Sequence, residues 1–317
     1  MTEKVHGANF SFIYEDGVLR YAKRKAVLQW ADDFFGFQLV VRRMEERIYQ
    51  LFEALREEVD ARQGVSRQNV VRQYIVYGEL FGGAYPHPDV PAKEGLSAIQ
   101  TGVYYSPDIE FCAFDIAVVT MEADQDKRYL DYQTAQQYFE RYSVHYAKPL
   151  FIGKLSQAME FNTRIDSTIP SLLQLPALSS NLIEGVVIKP YDQPMSSEVP
   201  RPILKVKNSE FAERKFHEAA KWSYLPTGSN MTADLSYILD EMKNYVTANR
   251  LESVLSKTGK IDRSDATRMQ EIKEEFVLDV MTDFNEDNIQ ILAELEEAQR
   301  KWLRGRILAE VSKVVTT

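Results

Sequence analysis

Cysteine is almost absent from this sequence: 317 residues contain one, Cys112. An internal disulfide is therefore excluded, which fits a reducing compartment. Long apolar runs are missing too. No stretch reaches the ~18 uninterrupted apolar residues of a membrane span, and the opening MTEKVHGANF has no apolar run of signal-peptide length. The expectation is a soluble, intracellular chain with no membrane partner, cytoplasmic by default and compatible with an organelle. Positive charge is in deficit: 38 Lys and Arg stand against 47 Asp and Glu, a net charge of −9. That balance argues against a broad, non-specific nucleic-acid surface. A local basic groove survives it, because phosphate contacts need only a few well-placed cations.

What is present is ordinary for a globular protein, with 44% hydrophobic and 27% charged residues. The length exceeds what one core usually organises, so two domains are expected. Asn9–Tyr14 alternates at period two, Glu15-Asp16-Gly17 supplies a hairpin turn, and Val18–Ala22 is the returning strand. Val41, Met44, Ile48, Leu51, Leu55 and Val59 recur at helical spacing between about Val40 and Arg62. Val70–Tyr77, Glu110–Val119, Ile183–Ile188 and Ile203–Val206 read as further strands, the last two joined by a connection carrying Pro190, Pro194, Pro200 and Pro202. Near Trp222–Asn230, Pro, Gly and Ser mark a linker. Beyond it the pattern is helical, about 232–256, 264–284 and 287–314, with Asp287 as N-cap of the last. The division expected is a mixed domain over 1–225 and an all-helical domain over 231–317.

Five short constellations carry chemistry. Lys4-Val5-His6-Gly7 sets a lysine beside a glycine that would let backbone approach a phosphate. An amine nucleophile needs its neutral form, which neighbouring cations favour; a solvated terminal lysine fits the same residues. Tyr77-Gly78-Glu79-Leu80-Phe81-Gly82-Gly83 reads as a carboxylate at a strand end followed by a glycine loop, suited to a ribose hydroxyl or simply a strand exit. In Phe111-Cys112-Ala113-Phe114-Asp115-Ile116, Asp115 interrupts an apolar strand and Phe114 offers a face for base stacking, or else a core ring. Cys112 reads as a small buried hydrophobe. Glu184-Gly185-Val186-Val187-Ile188-Lys189 opens an apolar strand with a carboxylate, which suits magnesium or a water-facing strand end. Lys205 and Lys207 of Leu204-Lys205-Val206-Lys207 share one strand face, which a polyphosphate would satisfy and an edge strand would also explain.

The five occur in the order of the nucleotidyltransferase motifs shared by ligases and RNA capping enzymes, and Gly102-Val103-Tyr104-Tyr105-Ser106-Pro107 strengthens the match. Over about residues 3–215, and more loosely through the tail, the sequence resembles the nick-sealing RNA ligase family that includes phage RNA ligase 2 and the trypanosome RNA-editing ligases. His6 supports this group, since DNA ligases and capping enzymes typically carry Asp there. The resemblance implies an α+β fold: an ATP-grasp-like nucleotidyltransferase domain of antiparallel sheets flanked by helices, plus a small helical domain. It implies ATP and Mg²⁺ (or Mn²⁺) as cofactors, RNA ends or a nicked duplex as partner, and a lysyl-AMP intermediate on Lys4. Glu3 and Val5 would read adenine through their backbones, Phe114 would stack on it, and Glu79 would bind the ribose. Asn9 and Arg24 would contact the nucleotide or the RNA 5′-phosphate. Glu184 would hold the metal, and Lys205 and Lys207 the α-phosphate. His6 and Asp115 occupy catalytic motif positions with no single step assigned. The family usually has a longer segment ahead of its nucleophile than Met1-Thr2-Glu3, so contacts from that segment are expected to be missing. The alternatives are a GTP-using capping enzyme, a DNA ligase, and an inactive nucleic-acid-binding remnant. In the tail, Arg300-Lys301-Trp302-Leu303-Arg304-Gly305-Arg306 is the candidate RNA contact; a solvated helix face with Trp302 packed inward fits it as well.

Overall fold

The structure is a computed structural model that describes residues 1–63, 71–120, 127–193, 202–212, 231–288 and 291–316. It divides into two compact units, Met1–Glu210 and Phe211–Thr317. The linker expected at 222–230, Val70 and most of the proline-bearing connection lie outside the described residues.

The first unit holds two antiparallel sheets. Strand β1 (Thr2–Glu3) opens the chain, and β2 (Ala8–Glu15) turns through Asp16 and Gly17 into β3 (Val18–Lys23). Both turn residues have positive φ, 52° and 79°, the geometry of a two-residue hairpin loop. A short β4 (Ala26–Leu28) follows, and helix α1 (Phe37–Gln63) starts one turn earlier than its apolar spacing indicates. Strands β5 (Val71–Ala84), β6 (Ser106–Thr120) and β7 (Lys127–Tyr129) complete a six-stranded sheet in the order β4-β3-β2-β5-β6-β7. Phe10, Phe12 and Tyr14 point to one face of this sheet and pack on Val41, Ile48, Leu51, Phe52 and Leu55 of α1. Helix α2 (Tyr132–Arg141), capped by Asp131, adds Ala135, Tyr138 and Phe139 to the same core. Short helices α3 (Leu155–Met159) and α4 (Ile169–Leu172) precede β8 (Gly185–Ile188) and β9 (Leu204–Lys207), which form the second sheet, β1-β8-β9.

The glycine loop expected after Tyr77 is not a loop. Strand β5 runs on to Ala84, with Glu79 paired to Asn9 on one side and Cys112 on the other. Gly82 and Gly83 take positive φ, and a Cβ on either would collide with a carbonyl, of Asp108 or of Ser97. The glycines allow close backbone packing instead of ending the strand.

The second unit is helical: α5 (Met231–Lys243), α6 (Ala248–Thr258), α7 (Ala266–Asp287), α8 (Ile291–Glu294) and α9 (Glu297–Thr316). The expected 232–256 helix is two, because Tyr245 and Val246 are buried in the bend and Thr247 caps α6. Asp287 does not cap the last helix. It lies at the end of α7 and accepts a hydrogen bond from the Tyr245 hydroxyl at 2.9 Å. Leu303, Ile307, Val311 and Val315 form the buried stripe of α9. Trp302 is not packed inward: it is 38% exposed, with the Arg306 guanidinium 5.4 Å from its ring, while Arg304 pairs with Glu274. Among the described residues, no helix is long and apolar enough to cross a membrane.

Candidate active site

Residues 4–7 cross from one sheet to the other. Glu3 ends its pairing with Val186 on the small sheet, and Ala8 begins its pairing with Leu80 on the large one. Lys4 sits at the start of this crossover, its backbone N–H donating to the Gly185 carbonyl at 2.9 Å. Gly185 in turn pairs with Lys207. A Cβ on Gly185 would strike the Val206 carbonyl, and its φ of 156° lies at the limit of what a side chain tolerates.

Glu184, 3% exposed, is the hub. Its Oε2 accepts from Lys4 Nζ at 2.6 Å and lies 3.2 Å from His6 Nδ1, while Oε1 lies 3.3 Å from Lys207 Nζ. Burial alone would raise the pKa of this carboxyl. The His6 hydrogen bond and the charges of Lys4, His6 and Lys207 outweigh burial and hold it down at about 2. Glu79 faces the same group from β5 and has the opposite fate. Burial, reinforced by the charge of Glu184, pushes it up to about 7 despite Lys4, His6 and Lys205. Lys205, an exposed residue, is shifted down by the surrounding protein and then by Lys4, Arg24 and Lys207.

The structure thus brings together Lys4, His6, Glu79, Glu184, Lys205 and Lys207, with Arg24 close enough to be felt at Lys205. Asn9 neighbours Glu79 across the strand pair, and Val5 is buried. Phe114 is the extra residue of a β-bulge, since Tyr77 pairs with Asp115 and Gly78 with Ala113. The bulge lifts Phe114 out of the regular alternation and leaves it half-buried. Asp115 forms a buried ion pair with Lys189 at 2.9 Å. Lys189 also donates to the Phe114 carbonyl at 2.6 Å and lies 3.9 Å from the Tyr132 ring. Glu3 is buried, with Oε2 accepting from the Thr168 N–H and hydroxyl at 3.1 Å. Cys112 is fully buried, and burial raises its thiol well above the ordinary range.

Sequence reasoning assigned no role to Tyr105, Asn181 or Lys189. The Tyr105 hydroxyl accepts from the His6 N–H at 2.9 Å, and the Asn181 side chain binds both the N–H and the carbonyl of Tyr104 at 2.9 and 2.7 Å. Tyr105 and Lys189 lie within strings that the motif order had singled out, but nothing in those strings distinguishes a polar partner from a core residue.

A lysine, a histidine and two carboxylates between antiparallel sheets, with further lysines alongside, make a site for handling phosphates. The chain belongs to the RNA ligase family: the model of that family matches residues 1–207, and the model described as T4 RNA ligase 2 C-terminal matches 229–313. It is 29% identical to RNA-editing ligase 2, mitochondrial, of Trypanosoma brucei brucei, over 99% of this chain and 83% of that one. It is also 29% identical to RNA-editing ligase 1, mitochondrial, of the same organism, over 81% of this chain and 63% of that one. A Naegleria gruberi RNA ligase solved with ATP and Mn is a distant structural neighbour, with a TM-score of 0.39, 15% identity and coverage of 66% of this chain and 49% of that one.

Proposed function

We propose that this chain uses ATP to join RNA 3′-hydroxyl and 5′-phosphate ends at nicks in duplex RNA, in RNA repair, through a lysyl-AMP on Lys4. The observation that supports this most is the convergence of Lys4, His6 and Lys207 on the buried Glu184 carboxylate. Lys4 Nζ loses a proton and attacks the α-phosphorus, an N–P bond forms, and pyrophosphate leaves. The nucleotidyl group then passes to the RNA 5′-phosphate and frees the lysine. The RNA 3′-hydroxyl attacks the activated phosphate and expels AMP. Lys205 and Lys207 hold the phosphate as charge builds on it, and Glu184 fixes the direction of the Lys4 amine. Glu3 and Val5 read the base through their backbones, Phe114 stacks on it, and Glu79 with Asn9 takes the ribose side; Arg24 receives the RNA 5′-phosphate.

A divalent cation would offset the repulsion that the charge of Glu184 exerts on Glu79. Among the described residues no group of three or more His, Cys, Asp or Glu side chains could hold a metal by itself. Glu184 would therefore hold Mg²⁺ or Mn²⁺, directly or through water, together with phosphate oxygens, as Mg²⁺ commonly is held. Such an ion, when bound, would supply positive charge to the phosphates.

The test is covalent labelling. Incubation of the chain with α-labelled ATP and Mg²⁺ should give an acid-labile, base-stable protein–AMP bond that unlabelled ATP competes away far better than GTP. Lys4→Ala should remove it. A folded wild-type chain that takes up no label would overturn the proposal.

A further inference from the structure

The crossover between the sheets creates a local problem that Tyr105 solves. The Lys4 N–H is satisfied by the small sheet, and the ladder of the large sheet starts only at Ala8. The His6 N–H lies between the two ladders and needs a side-chain acceptor. Tyr105 supplies it at 2.9 Å, from a ring that is 1% exposed and packed edge-on against Phe81 at 5.3 Å and 77°. The position of that ring is itself fixed. The buried Asn181 amide binds the Tyr104 N–H and carbonyl together, and the Ile99 N–H donates to the Gly82 carbonyl at 3.0 Å. From the same segment, Gln100 Nε2 donates to the Gly7 carbonyl at 3.4 Å. The segment 99–105 therefore straps the crossover at His6 and Gly7.

We infer that Tyr105 is a positioning residue for the nucleophile: its phenol oxygen sets the His6 backbone, the His6 imidazole is thereby set against Glu184, and Glu184 sets the Lys4 amine. Each link is a direct contact, at 2.9 Å, 3.2 Å and 2.6 Å. The phenol oxygen bonds the His6 N–H, while Lys4 is held by Glu184; removing the His6 imidazole therefore separates an effect carried through His6 from the charge interaction that Tyr105 also has with Glu184. The buried phenol stays neutral, because burial raises its pKa well above the usual tyrosine value.

The inference rests on Lys4 being the nucleotidylated lysine. The experiment measures the single-turnover rate of lysyl-AMP formation on the full chain across ATP concentrations. Tyr105→Phe keeps the ring and removes one acceptor. It should slow labelling at saturating ATP by about tenfold, equivalent to about 1.4 kcal/mol of alignment lost at the transition state, and leave half-saturating ATP within about twofold of wild type. In a His6→Ala background, where the imidazole link is already gone, the same substitution should change the rate by less than about twofold. A Tyr105→Phe rate equal to wild type, or an equal loss in both backgrounds, overturns the inference while the labelled wild type leaves the proposed function standing. An unlabelled wild type overturns both. Should Tyr105→Phe fail to fold, Asn181→Asp, which keeps the acceptor for the Tyr104 N–H and loses the donor to its carbonyl, is read against the same criteria in both backgrounds.

Discussion

Glu79→Gln should stabilise the folded chain, and by an amount that grows with pH. Glu79 lies on β5 facing Glu184, only partly open to solvent, and is held up to about 7 by burial and then by that neighbouring charge. Its carboxyl therefore binds a proton more tightly in the folded chain than in the unfolded one, where the ordinary value is 4.5. Below that value both states are protonated and the group costs nothing. From there up to about 7 the unfolded chain releases the proton while the folded chain retains it, so stability declines by about 1.4 kcal/mol per pH unit. Above about 7 the whole penalty persists, about 3 kcal/mol from a shift of this size, and roughly half of that once the partly open side is allowed for. Glutamine matches the protonated acid in shape and does not titrate. Urea unfolding of wild type and Glu79→Gln at pH 5, 6, 7 and 8 gives the comparison, with pH 5 as the internal control where the two should nearly agree. Nucleotide affinity should move the other way, because the variant loses its carboxylate toward the ribose. A variant that is less stable than wild type at pH 8, or more stable by the same margin at every pH, would refute the account.

Two further outcomes follow from geometry alone. Gly185→Ala would drive a methyl into the Val206 carbonyl between β8 and β9, so we expect a loss of several kcal/mol, seen as a lower urea midpoint and lost labelling of Lys4. In the helical unit, Trp302→Ala with Arg306→Glu should weaken binding of nicked duplex RNA and flatten its salt dependence. Arg304→Glu should do less, because Arg304 is already paired with Glu274; equal effects in a binding titration would contradict that ranking.

The sequence carried some of this and hid the rest. Strands β2 and β3, helix α1 and strand β6 were legible, because Phe10, Phe12 and Tyr14 alternate and Ile48, Leu51 and Leu55 recur at helical spacing on the faces that meet in the core. The continuation of β5 through Gly82 and Gly83 was not. A glycine pair reads as a break unless one knows that carbonyls of Asp108 and Ser97 press on it from elsewhere in the chain. Nor was the bend between α5 and α6, since Tyr245 and Val246 keep an apolar period while leaving the helix. At the site, residue type and motif order pointed to Lys4, Glu184 and Lys207, and the contacts among them are short. Tyr105 and Asn181 gave no signal, because what they contribute is a hydrogen bond across 99 residues in one case and 77 in the other.

The charge of the molecule and the charge of its site have opposite signs. The chain carries a net −9, yet around Glu184 and Glu79 stand Lys4, Lys205, Lys207 and Arg24. A small anion should be drawn to this cluster of cations against the net negative charge of the chain. Capture of polyphosphate there should slow as the ionic strength rises and the Debye length shrinks to about 8 Å at physiological salt.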